Sequence, residues 1–102
     1  MKYDKLVRDN IPQNIAENGK KALFRVALQT EMPEYLEKKL TEEVAEYLES
    51  KSLDELVDVY EVIIALAEEH GLTWFSLNEH VNRKRAESGA FKDGIILLEV
   101  ED

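Results

Sequence analysis

The chain has 102 residues, 44% of them hydrophobic and 34% charged, with 4 Gly, 2 Pro and no Cys. That length fits one domain over residues 1–102, the composition excludes a disordered chain, and the missing cysteines exclude a disulfide framework, a thiolate zinc site and a cysteine nucleophile. Twenty-two acidic against 13 basic residues leave a net charge of −9, which excludes a general binder of polymeric nucleic acid or of anionic membrane, because both need clustered positive charge. The opening Met1-Lys2-Tyr3-Asp4-Lys5-Leu6 lacks an apolar signal core, and the longest apolar run, Val62 to Ala67, is far short of the ~20 residues of a membrane span. A soluble, cytoplasmic protein is the expectation.

In chain order, Asn10-Ile11-Pro12 reads as a cap and an early-helix proline, and Gly19 stops a short helix. Residues 23–28 (LFRVAL) are rich in β-formers and predict a strand. Pro33 opens a long helix in which Leu36, Leu40, Val44, Tyr47 and Leu48 form an apolar stripe, running to about Ser50. Ser52-Leu53-Asp54-Glu55 matches a capping box and starts a third helix that reaches His70 and Gly71. This helix is apolar nearly all round and is expected to be the buried element. Thr73 caps a fourth helix that turns Trp74, Leu77 and Val81 inward and ends near Gly89, and residues 95–100 (IILLEV) predict a second strand. The expected fold is mainly α: a helical bundle on a central antiparallel hairpin, with a small two-stranded β element from residues 23–28 and 95–100. Three other helices and a small sheet can hardly cover the third helix, so completion by homo-oligomerisation is expected.

The acid is concentrated. Residues 31–69 hold 13 acidic residues against three basic ones, Lys38, Lys39 and Lys51. Two helices joined near Ser50-Lys51-Ser52 pack antiparallel, so Glu46 and Glu55 lie about one turn from the tip and Glu43 and Asp58 about two. Each pair is spaced i, i+3, which puts its side chains on neighbouring turns. Four carboxylates can then face one another, an arrangement that repels itself when bare and that hard divalent cations satisfy with oxygen ligands. Taken alone, Glu55 is also explained as the capping partner of Ser52, and Glu43 and Glu46 as a solvated helix edge. Asp58 resists such a reading, because a carboxylate inside an apolar helix calls for a metal or a basic partner. Glu42 adjoins the set, and Glu61 continues its i, i+3 row as an outer candidate. All-oxygen ligation suits Mg²⁺ or Mn²⁺ better than iron or zinc, and His70 and His80 read as a helix-end and a surface residue. Positive charge gathers at Lys2, Lys5 and Arg8 and at Arg83-Lys84-Arg85; each residue alone reads as solvated surface, but two basic groups flanking the acids also suit a polyphosphate bridging the metals.

Glu42-Glu43-Val44-Ala45-Glu46 followed by Glu55-Leu56-Val57-Asp58 resembles the EExxE…ExxD signature of the all-α nucleotide pyrophosphohydrolases, the MazG and phosphoribosyl-ATP pyrophosphohydrolase-like superfamily. Residues 5–12 (KLVRDNIP) are similar to the KLVRDKIP start of its short members, with Asn10 in place of the usual lysine, and residues 84–91 (KRAESGAF) resemble their ending. The resemblance implies Mg²⁺-dependent cleavage between the α and β phosphates of a nucleoside triphosphate. It implies metal ligands at Glu43, Glu46, Glu55 and Asp58, a ligand or water-orienting base at Glu42, and phosphate contacts at Lys84 and Arg85, with Lys5 and Arg8 as further candidates. It also implies a homo-oligomer, a dimer or tetramer. Two other functions compete with it: a specialised step on phosphoribosyl-ATP in histidine synthesis, and a non-catalytic helical interaction module that keeps the acids as a structural metal site or docking face.

Overall fold

The structure, a computed structural model, describes residues 2–101. It holds four helices, α1 (Ile11–Glu17), α2 (Met32–Ser50), α3 (Leu53–Glu69) and α4 (Trp74–Ser88), with a 3-10 turn at Gln29–Glu31 leading into α2. All four expected helices form close to their expected limits.

Local chemistry accounts for most of the ends. Pro12 and Pro33 sit in the first turns of α1 and α2, where the missing N–H breaks no helical bond. Asn10 precedes α1 without a side-chain capping bond. Ser52 Oγ accepts the Glu55 amide at 3.2 Å to cap α3, and Thr73 Oγ1 accepts the Ser76 amide at 3.1 Å to cap α4. Gly71, at φ 79°, supplies the left-handed turn beyond α3. The tip of the hairpin is tighter still. Lys51 takes that left-handed conformation without being glycine, at φ 58°, and its amide donates to the Tyr47 carbonyl at 2.7 Å.

α2 and α3 pack against each other along their length, and α3 also meets α4. The inward row of α2 is Leu36, Leu40, Glu43 and Tyr47, each buried or half-buried, and that of α3 includes Val59, Val62, Leu66 and Ala67. Val44 and Leu48, expected on the buried stripe, are exposed instead, and Glu43 takes the inward position between Leu40 and Tyr47. The helix rotates its acid inward because 43 lies seven residues from Leu36 and four from Tyr47, on one helical face.

The remaining expectations of burial fail for a common reason. Leu36, Val62 and Ala67 are the only buried apolar residues among those described, and the radius of gyration is 18.0 Å against about 13 Å for a compact chain of this length. α3 is therefore one-sided: Leu53, Leu56, Val57, Tyr60 and Ile63 form an exposed apolar stripe. α4 inserts only Leu77 of its three expected inward residues, and from Glu79 onward every described residue is exposed. The two-stranded element over residues 23–28 and 95–100 is absent among the described residues. A lone pair of strands is marginal in water without a face to pack on, and neither segment is buried against the helices. Ile95, Ile96, Leu97, Leu98 and Val100 all remain exposed. Residues 22–28 are held by polar bonds instead. Both Arg25 guanidinium nitrogens donate to the Glu31 carboxylate at 2.9 Å, and Nη2 also reaches the Tyr35 hydroxyl at 3.0 Å.

The strained tip gives a direct test. Lys51→Gly removes the left-handed penalty at the cost of a more flexible unfolded chain, and a net gain of about 0.5–1 kcal/mol is expected in urea unfolding.

Candidate metal centre

The α2–α3 seam changes character toward its tip. Where a leucine or valine would continue the apolar row, the chain places Glu43 on α2 and Glu55 and Asp58 on α3, and one carboxylate oxygen from each lies within 4.8 Å of the other two. These three residues form a cluster able to hold a metal ion. Glu43 is only 7% exposed, and its Oε2 is buried without a hydrogen-bond partner. A buried acceptor left in this state costs free energy that a cation or a donor would recover.

Glu55 shows why the cluster is not an accident of helix capping. Its amide is capped by Ser52, but the reciprocal bond of a capping box is missing, because the Ser52 amide donates to Ser50 Oγ at 3.2 Å instead. The Glu55 carboxylate is thereby released toward Glu43 and Asp58. Asp58 has the basic partner its position called for: Arg8 Nη2 donates to Oδ1 at 2.7 Å.

Basic side chains rim the cluster. Lys39 lies 3.2 Å from Glu43 Oε1 and 3.6 Å from Glu42 Oε2, while Lys5 Nζ donates to Glu42 Oε1 at 3.0 Å. Burial raises the Glu43 pKa, and the adjacent Glu46 carboxyl adds to the rise against the lowering pull of Lys39. Burial would raise Glu42 also, yet there Lys5 and Lys39 together outweigh it and its pKa falls. Lys5 is raised in turn, chiefly by its hydrogen bond to Glu42.

The other sequence candidates are placed less closely. Glu46 is exposed and lies outside the three-carboxylate cluster, though near enough to Glu43 to perturb it. Glu61 is exposed and also outside. Lys84 and Arg85 lie on the exposed half of α4, and no ion pair joins either to the hairpin acids among the described residues. Lys5 and Arg8 do reach the acids, and do so directly. His70 ends α3, as expected, and His80 Nδ1 lies 3.5 Å from Arg83 Nη2. Lys39 was not singled out from the sequence, although its i, i+4 spacing to Glu43 is the signal for such a pair. Nothing in the sequence marks the clasp in which the Tyr35 hydroxyl donates to Asp4 at 2.6 Å and fixes the N-terminal segment to α2.

No family model, no curated protein and no solved structure matches the chain. No helix among the described residues is long and apolar enough to cross a membrane.

The Glu43 environment makes the stability of the fold depend on pH. A carboxyl whose folded pKa lies above its unfolded value opposes folding when ionised, and the fold recovers that loss as pH falls through the folded pKa. In chelator at pH 7, Glu43→Gln is therefore expected to melt above the wild type. The advantage should shrink on acidification and vanish below the ordinary carboxylate range near 4.5, as thermal melts across pH would read.

Proposed function

We propose that the chain is a divalent-cation-dependent nucleotide pyrophosphohydrolase that cleaves between the α and β phosphates and releases a nucleoside monophosphate and pyrophosphate. The observation that carries the reading is the unpartnered, buried Oε2 of Glu43 set among carboxylates from both arms of the hairpin. The residue pattern of the two acidic motifs, with its likeness to the pyrophosphohydrolase signature, supplies the reaction class.

In this reading Glu43, Glu55 and Asp58 hold Mg²⁺ or Mn²⁺, while Glu46, exposed beside Glu43, stays outside the ligand set. The donors are all carboxylate oxygens, which suits these hard cations. The ion supplies Lewis acidity and a bound water of lowered pKa. The chain's own residues bind and orient. Glu42, held below its ordinary pKa by two lysines, is a poor proton acceptor and a good acceptor of a hydrogen bond, so its part is to orient water. Lys84 and Arg85 are exposed and, among the described residues, in no ion pair, so they are available to phosphate oxygens, and Arg is suited to bidentate contact there.

Assembly belongs to the same proposal. The exposed stripe of Leu53, Leu56, Val57, Tyr60 and Ile63 on α3 and the scarcity of buried side chains favour a second copy as the missing cover. Burial of such side chains contributes roughly 1.5–3 kcal/mol each.

Two measurements test the reading. Purified protein with Mg²⁺, given a panel of canonical and modified nucleoside triphosphates together with phosphoribosyl-ATP, should yield monophosphate and pyrophosphate from a triphosphate. Glu43→Gln and Asp58→Asn should each lower kcat about 10²–10³-fold. Turnover of phosphoribosyl-ATP alone would select the histidine-synthesis reaction, and activity surviving both variants would sink the site. For the assembly, light scattering should give a multiple of 11.8 kDa for the wild type and a shift toward the single-chain mass for Val57→Lys; a wild type at the single-chain mass across micromolar concentrations overturns it.

A further inference from the structure

Arg8 occupies an unusual position for a surface cation. Its guanidinium bonds Asp58, fifty residues away and a member of the carboxylate cluster, at 2.7 Å. Its backbone is fixed separately, because the Arg8 carbonyl accepts the Ile11 amide at 3.1 Å at the start of α1. The side chain is half exposed, as is that of Asp58. The guanidinium can therefore leave Asp58 by rotating about its own side-chain bonds, with the backbone still anchored by Asp4 on Tyr35 and Lys5 on Glu42.

Charge matching distinguishes Arg8 from the other cation at the cluster. Three carboxylates face two bases, Lys39 on Glu43 and Arg8 on Asp58, and Glu55 has neither. A divalent ion arriving with both bases in place leaves the cluster one positive charge in excess. With Arg8 displaced, the charges of the three carboxylates, the ion and Lys39 cancel. Lys39 is poorly placed to leave, since its side chain is far more buried than that of Arg8.

We infer that Arg8 is an exchangeable counterion: it neutralises Asp58 in the metal-free protein, is displaced from it when a divalent cation binds, and is then free at the rim of the site to take an anionic oxygen of the substrate. The inference rests on the metal-centre reading given above. It makes Arg8 a positioning residue that couples metal entry to the presentation of a cation for phosphate. An exposed ion pair is weak enough to be displaced, and its loss is worth a modest factor in metal affinity.

The test is Mn²⁺ binding to the full chain, read by the free-Mn²⁺ electron paramagnetic resonance signal, in wild type, Arg8→Gln, Arg8→Lys, Lys92→Gln and Glu43→Gln. Arg8→Gln is expected to bind Mn²⁺ about two- to fivefold more tightly than wild type. Arg8→Lys, which keeps the charge, should lie near wild type. Lys92→Gln removes the same charge from a distant exposed turn and controls for the general attraction of a more acidic protein. Equal tightening by Arg8→Gln and Lys92→Gln, or weaker binding by Arg8→Gln, overturns the exchange, while the metal centre stands if wild type binds Mn²⁺ and Glu43→Gln does not. Absence of Mn²⁺ binding by wild type overturns the metal centre and the exchange with it. Matching helical circular dichroism across the set confirms that the variants fold.

Discussion

A carboxylate buried in a helix seam is the constraint on which the rest of this molecule turns. Glu43 occupies a position that packing alone would give to leucine, and a charged group there is tolerated only if something offsets its lost hydration. Lys39 does so in part from one turn away on the same helix. The remainder falls to whatever meets the free oxygen. Around this one residue the chain has arranged two further acids, three bases and a tip short enough to keep both arms in step.

The arrangement also explains the uneven quality of the packing. Toward its open end the hairpin is held by Leu36, Val62 and Ala67, while toward its tip the same seam carries acids that repel one another. Apolar cohesion is thus spent at one end and polarity gathered at the other. The N-terminal segment ties the acidic end from outside through Lys5 and Arg8, in place of the inward leucines that would otherwise hold it. Such ties are sensitive to salt and to charge, whereas the apolar end is not.

Much of this was legible in the sequence, because helices follow from local signals. Pro33, Ser52, Thr73 and Gly71 mark ends that the structure respects, and the mirrored spacing of Glu43 and Asp58 about the tip places them together once the hairpin is granted. What the sequence hid was rotation and company. The stripe Leu36, Leu40, Val44, Leu48 is as periodic as the row that is buried, and only the packed partner decides that Glu43 turns inward and Val44 outward. Residues 23–28 and 95–100 carry real strand propensity, but propensity expresses itself only against a surface to pack on, and neither segment is packed on one. The pairing of Arg8 with Asp58 spans fifty residues and follows no local rule at all.

The two-residue tip has a last consequence, for the order in which the molecule comes together. Glu43 and Asp58 are fifteen residues apart, and the chain between them is helix on both sides of a single turn. Closing so short a span costs little chain entropy and takes microseconds or less. The contact between the two acidic arms is therefore cheaper in chain entropy than the fifty-residue tie from Arg8 to Asp58. An ion that captures this hairpin would act as a nucleus, and the site would guide the fold as much as the fold supports the site.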